Sequence, residues 1–196
     1  MLIEKLKNYD VILGSGSPRR RQLLSAMQIP FRVLKREVDE VFPEDLSPEA
    51  AAAFLCRLKS EAFRDFDQKK NTLVITADTV VAKDNKVLGK PVNAAQAAAM
   101  LRTLSHAAHE VITGVCLRTE NKVSVFTVST NVWFAPLSDE EIDFYIRNYS
   151  PLDKAGAYGI QEWIGHVAIE KINGSYFNVM GLPTHELYSR LKTLFS

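Results

Sequence analysis

Two alternating stretches, His109 to Thr119 and Lys122 to Phe134, are separated only by Glu120-Asn121. Apolar and polar residues alternate along both, the period of a strand with one buried face, so the pair predicts a long antiparallel hairpin. Such a hairpin excludes an all-helical chain and does not suit a doubly wound parallel sheet. Other strands join it. Val11-Ile12-Leu13 is a short apolar strand, and Phe31 to Lys35 has mixed strand character. Leu73-Val74-Ile75-Thr76-Ala77 is a continuous apolar run of the buried type, continuing past Asp78-Thr79 through Val80-Val81-Ala82. Asp84-Asn85 then reads as a hairpin turn with a return over Lys86-Val87-Leu88, and a last hairpin candidate spans Val167 to Val179 around Asn173-Gly174.

Between the strands lie helix starts with caps. Ser17-Pro18 begins a helix to about Met27, Ser47-Pro48 one to Phe66, and Asn93 an alanine-rich one through Leu104. Ser138-Asp139-Glu140-Glu141 starts another that stops before Ser150-Pro151, and Pro183 starts the terminal one. The fold class expected is mixed α/β, a largely antiparallel elongated sheet with flanking helices and two lobes around a central cleft. A length of 196 residues suits one large domain or two small ones, and neither a linker nor an internal repeat divides it. The expectation is a single domain over residues 1–196.

The stretch Val11-Ile12-Leu13-Gly14-Ser15-Gly16-Ser17-Pro18-Arg19-Arg20-Arg21 concentrates chemistry. A strand, two glycines permitting a tight turn, and a capped helix aim free backbone N–H groups at whatever lies above the strand. Arginines at a helix N-terminus oppose its dipole, an arrangement made favourable by an anion, and their planar fork suits phosphate oxygens. A solvated basic first turn is the alternative. The Rossmann fingerprint is matched poorly, because Arg19 replaces the third glycine and Pro18 intrudes. No Gly-Lys-Ser/Thr follows, so the stretch is not a Walker P-loop.

The formal charge is only +1, so no broad basic field argues for nucleic acid. No apolar run of membrane-spanning length occurs, and charges among the first ten residues argue against a signal peptide; neither a membrane nor a nucleic-acid partner is expected, and the cytoplasm is the expected compartment. Cys56 and Cys116 have no metal-type spacing and read as buried structural thiols. Asp78 ends an apolar run, an expensive place for a carboxylate unless it is partnered or faces a cleft; a turn or capping aspartate is the alternative, and together with the anion-type turn at another strand end a metal-binding or general-base role is favoured. Asp39 and Glu40 follow the phosphate-type turn by about 20 residues, a spacing measured against the acidic residue of nucleotide-binding units. Lys59, Lys90 and Lys154, judged singly, are ordinary surface lysines. Asp153-Lys154-Ala155-Gly156-Ala157-Tyr158-Gly159-Ile160-Gln161 reads as a functional loop.

Taken together, Ser15 to Leu24, Ala77-Asp78-Thr79-Val80-Val81, Leu88-Gly89-Lys90-Pro91, the loop from Asp153 to Gln161, and Gly174-Ser175-Tyr176 with Val179-Met180-Gly181-Leu182-Pro183 resemble the motifs of the Maf family of nucleoside triphosphate pyrophosphatases. The blocks follow in the same order over essentially the whole chain. The resemblance implies a deep-clefted fold related to the inosine triphosphatase type, commonly a homodimer. It implies hydrolysis of a nucleoside triphosphate to the monophosphate and pyrophosphate with a divalent cation, Mg²⁺ or Mn²⁺. By motif position Asp78 is the catalytic carboxylate, and Arg19, Thr79 and Gln161 fall where the branch acting on dTTP and UTP carries its specificity residues. Ser17, Arg20, Lys59 and Lys90 match polar positions expected to hold phosphate, and Glu40 joins Asp78 as a metal ligand. Three places depart from the pattern: His106-Ala107-Ala108-His109, Ser150-Pro151, and Glu162 where glycine is common. A nucleotide-binding regulator of cell division, and a pyrophosphatase of the sister branch acting on 7-methyl-GTP, are the alternatives.

Overall fold

A computed structural model describes residues 1–43 and 45–196. In chain order its elements are α1 (Leu2–Leu6), β1 (Asp10–Leu13), α2 (Pro18–Ala26), β2 (Arg32–Val33) and α3 (Pro48–Glu61). Then come β3 (Thr72–Lys83), β4 (Lys86–Leu88), α4 (Ala94–Leu104), β5 (Ala108–Arg118) and β6 (Val123–Phe134). The chain finishes with α5 (Asp139–Tyr149), α6 (Trp163–Val167), β7 (Ile169–Asn173), α7 (Tyr176–Met180) and α8 (Thr184–Leu194). The strands form one seven-stranded mixed sheet, ordered β2-β1-β3-β5-β6-β7, with β4 on β3. Among the described residues only the β1 pairings, to β2 and β3, are parallel. The expected mixed, largely antiparallel sheet with flanking helices is therefore present.

The long hairpin β5–β6 is paired in continuous register from Ala108↔Trp133 to Arg118↔Val123. Strand β3 lies against β5 from Val74 to Ala82 and organises both faces of the sheet. Alternate residues Leu73, Ile75, Ala77 and Val81 enter the main core, whereas Val80 and Ala82 pack with Ala52 and Leu55 of α3 on the opposite face. Gly114 lets α3 come that close: a Cβ there would stand 2.3 Å from the Ala52 carbonyl oxygen. The Asp84-Asn85 turn has positive φ at both residues, as a tight hairpin of this twist requires.

Two expectations need correction. The helix expected to reach Phe66 ends at Glu61, and a 3₁₀ turn over Arg64–Phe66 follows. That break swings Phe63 and Phe66 beneath Ile12 and Val74, while Arg118, buried, clamps Ser60, Glu61 and Asp67. The hairpin expected over Val167–Val179 does not form, because only its first half is a strand, paired to β6. Gly174 bends with φ +134° and Ser175 caps α7 through the Asn178 amide. Asn178 is fully buried and donates its side-chain amide to the Val111 carbonyl (3.0 Å) and Thr130 Oγ1 (2.9 Å), outweighing the β-propensity of Tyr176, Phe177 and Val179.

Both cysteines are buried and free, and burial pushes both thiols above their ordinary pKa. Among the described residues no helix is long and apolar enough to cross a membrane.

Candidate active site

The site begins with an interruption in sheet pairing. β1 accompanies β3 only as far as Leu13↔Ile75, and β4 takes up the same edge only from Val81↔Leu88. Between them the β3 edge around Asp78 and Thr79 is left open, and a cleft of about 460 Å³ fills the gap. Because neighbouring strand residues point to opposite faces, Asp78 looks toward α3 and Thr79 toward α7, yet both line this cleft. The turn after β1 and the N-terminus of α2 form one wall, and the Asp153–Gln161 loop another.

Gly14 and Gly16 do not use left-handed backbone in that turn. Gly14 is required by close packing instead: a Cβ would stand 2.7 Å from Thr76 and 2.9 Å from the Phe63 ring. Ser17 caps α2 by accepting from the Arg20 amide at 3.4 Å. The guanidinium of Arg20 donates to the Gly181 carbonyl (2.8 Å), Thr79 Oγ1 (3.1 Å) and Ser15 Oγ (3.4 Å), so it is fixed in place. Burial lowers its pKa from the ordinary value, with Asp78 the main opposing charge. The hydroxyl chain beneath it has one direction. Thr113 donates to the Asn178 carbonyl (2.9 Å), so Thr79 must donate to Thr113 (2.9 Å) and accept from Arg20. Arg19 is held more loosely, 3.3 Å from Asp153, and Arg21 turns away and is exposed.

Lys59 is carried by α3 into the floor of the cleft, where its ammonium bonds both Asp78 and Glu40, the latter at 3.0 Å. Lys90 reaches the other oxygen of Glu40 at 3.0 Å. Burial raises the Glu40 pKa, but Lys59 and Lys90 outweigh it and leave the carboxyl below its ordinary value. Asp78 itself is only 7% exposed. Glu40 and Asp78 thus bring two hard carboxylate donors to one point, the Lys59 ammonium. Mg²⁺ is commonly held by one or two carboxylates, with water and phosphate oxygens completing its shell, and this hard-oxygen pair suits that arrangement. Among the described residues no group of three or more His, Cys, Asp or Glu side chains is gathered for a metal.

Every site residue expected from the sequence lines this one cleft: Ser17, Arg19, Arg20, Glu40, Lys59, Asp78, Thr79, Lys90 and Gln161. Two further lysines do as well. Lys154, which alone looked like a surface lysine, is 7% exposed and bonds Asp153 at 2.7 Å and Glu162 at 3.2 Å. Its place inside the glycine-rich loop was the available signal. Lys35 had none, since it lies outside every motif, in the irregular segment after β2. Among the described residues six cationic side chains (Arg19, Arg20, Lys35, Lys59, Lys90, Lys154) line the cleft with three carboxylates (Glu40, Asp78, Asp153), an excess that the chain as a whole, at +1, does not have. A polyanion is the guest such a cleft is built to hold.

Residues 10–194 match the family described as "Maf-like protein". A dTTP/UTP pyrophosphatase of Christiangramia forsetii is 50% identical over 196 residues, covering 100% of both chains. A dTTP/UTP pyrophosphatase of Porphyromonas gingivalis is 50% identical over 193 residues, covering 97% of each. Among solved structures, that of the Staphylococcus aureus Ham1 protein covers 64% of this chain and 72% of its own, at 13% identity and a TM-score of 0.46.

Proposed function

The chain belongs to the Maf family, and from that premise we propose that it hydrolyses dTTP and UTP to the monophosphate and pyrophosphate. The observation that carries the reading is the excess of cations around Asp78 in a cleft opened by the interrupted edge of β3. Water attacks the α-phosphorus, the bond from that phosphorus to the bridging oxygen breaks, and pyrophosphate leaves with the bonding electrons. The proton released from the water goes to a carboxylate base, and Asp78 is the group assigned to take it. Ser17, Arg20, Lys59 and Lys90, with Lys154, are assigned to the phosphate chain, and the N-terminus of α2 adds its positive end. Asp78 and Glu40 would hold Mg²⁺ or Mn²⁺, which when bound neutralises phosphate oxygens and polarises the reacting phosphoryl group. Lys59 would then shift from bridging the carboxylates to the substrate phosphates. Arg19, Thr79 and Gln161 are assigned to base selection. The catalytic unit is taken as residues 1–196 and the working assembly as a homodimer.

Turnover with UTP, dTTP, CTP, GTP, ATP and 7-methyl-GTP tests the reading. UTP and dTTP are expected to exceed CTP in kcat/KM by about 10²-fold, since a site that hydrogen-bonds one base edge leaves polar groups unpaired against another. Equal values for UTP and CTP, or a preference for 7-methyl-GTP, would contradict it.

A further inference from the structure

Gln161 lines the cleft, and Glu162 stands behind it. One Glu162 oxygen accepts from Gln161 Nε2 at 3.4 Å and lies 3.2 Å from Lys154 Nζ. The other accepts from the Tyr145 hydroxyl, which itself accepts from the Gly159 amide at 3.0 Å. Gly159 makes room for the pair: a Cβ there would stand 2.8 Å from Gln161 Nε2 and 2.9 Å from Glu162 Cδ. A side-chain amide has two ends that can exchange places. Turned over here, Gln161 would set its carbonyl oxygen against a carboxylate oxygen, two acceptors with no proton between them. The carboxylate therefore decides which end of the amide it holds, Nε2, and leaves Oε1 as the end without a partner. Among the described residues this oxygen is buried and accepts no hydrogen bond. A buried acceptor without a donor is unfavourable, and a ligand N–H relieves it.

We propose that Glu162 is a positioning residue for base selection: it orients the Gln161 amide so that Oε1 accepts from an imide N–H of the bound base. This rests on the dTTP/UTP reading above. Uracil and thymine carry a proton at N3, whereas cytosine presents a lone pair there and sets acceptor against acceptor. Without Glu162 the amide can turn to offer Nε2 to cytosine N3 equally well, and the distinction fades. The chain thus places its selectivity on a carboxylate that the nucleotide does not touch.

The test compares kcat and KM for UTP and CTP in the full-length wild type and Glu162→Ala. The ratio of kcat/KM for UTP over CTP is expected to fall about tenfold or more in the variant, carried mainly by KM. A folded Glu162→Ala that keeps the wild-type ratio overturns this inference alone. A wild type that never distinguished UTP from CTP overturns the substrate reading and this inference with it. Where Glu162→Ala lacks a cooperative thermal transition, Glu162→Gln is assayed with the same two nucleotides: the Tyr145 hydroxyl claims its amide oxygen and its NH2 then faces Gln161, so the Gln161 amide loses its fixed orientation. A UTP-over-CTP ratio about tenfold or more below wild type supports the positioning role; the wild-type ratio overturns it.

Discussion

Asp78 occupies a position where an ionised carboxylate is tolerated only with company, and Lys59 supplies it. Asp78→Asn preserves shape while removing both the charge and the basicity. Turnover should fall by roughly 10²–10⁴-fold, the usual loss for a general base, with the fold retained in circular dichroism. More than about a tenth of wild-type kcat would exclude an essential base. Individual residues were legible in the sequence where a motif framed them, as Asp78 and Lys90 were. Lys154 was not: a lysine's charge can be read from the chain, but the carboxylates that draw it inward come from Asp153 and Glu162, on either side of a bend. Glu162 itself looked only like a departure from the family pattern. Its meaning lies in Tyr145, which a helix 17 residues earlier brings to it.

Elements position these residues, and two of them carry measurable consequences. Helix α3 delivers Lys59 because Gly114 lets it sit against β5. In Gly114→Ala the new methyl meets backbone, which cannot rotate away, so a loss of about 1–3 kcal/mol is expected in urea unfolding. Activity should fall further than stability alone explains, because Lys59 is displaced; a variant with wild-type stability would show that α3 is not held this tightly. Strand β5 also carries His109, which is buried 2.8 Å from the Tyr158 hydroxyl and packs edge-on to Phe134 and Tyr158. Burial, helped by Lys83, lowers its pKa from 6.5 to about 4. The unfolded chain therefore takes up a proton at this histidine near pH 6.5, and the folded chain does so only near pH 4. Stability drains as pH falls through that window, by at most about 3 kcal/mol from this group. His109→Gln should remove that part of the acid dependence in urea midpoints measured between pH 7 and pH 4.5, and an unchanged dependence would place the proton elsewhere. The β5–β6 hairpin was legible because alternation is local. The α7 turn was not, because a buried Asn178 that bonds β5 and β6 overrides the strand character around it.

At the scale of the whole molecule, a seven-stranded sheet changes partners along one edge of β3, and the cleft is the space left by that change. Sequence could indicate separate strands and a phosphate-type turn. It could not show that β1 and β4 share an edge with a gap between them, nor that Lys35 and Lys154 would join Arg19, Arg20, Lys59 and Lys90 there. In the proposed reaction this cleft directs water to the α-phosphorus of a bound pyrimidine nucleoside triphosphate. Hydrolysis of UTP in ¹⁸O-enriched water with Mg²⁺, followed by mass spectrometry of both products, tests it most directly. UMP and pyrophosphate are expected, with the label in UMP; label in pyrophosphate, or release of orthophosphate and UDP, would rule out attack at the α-phosphorus.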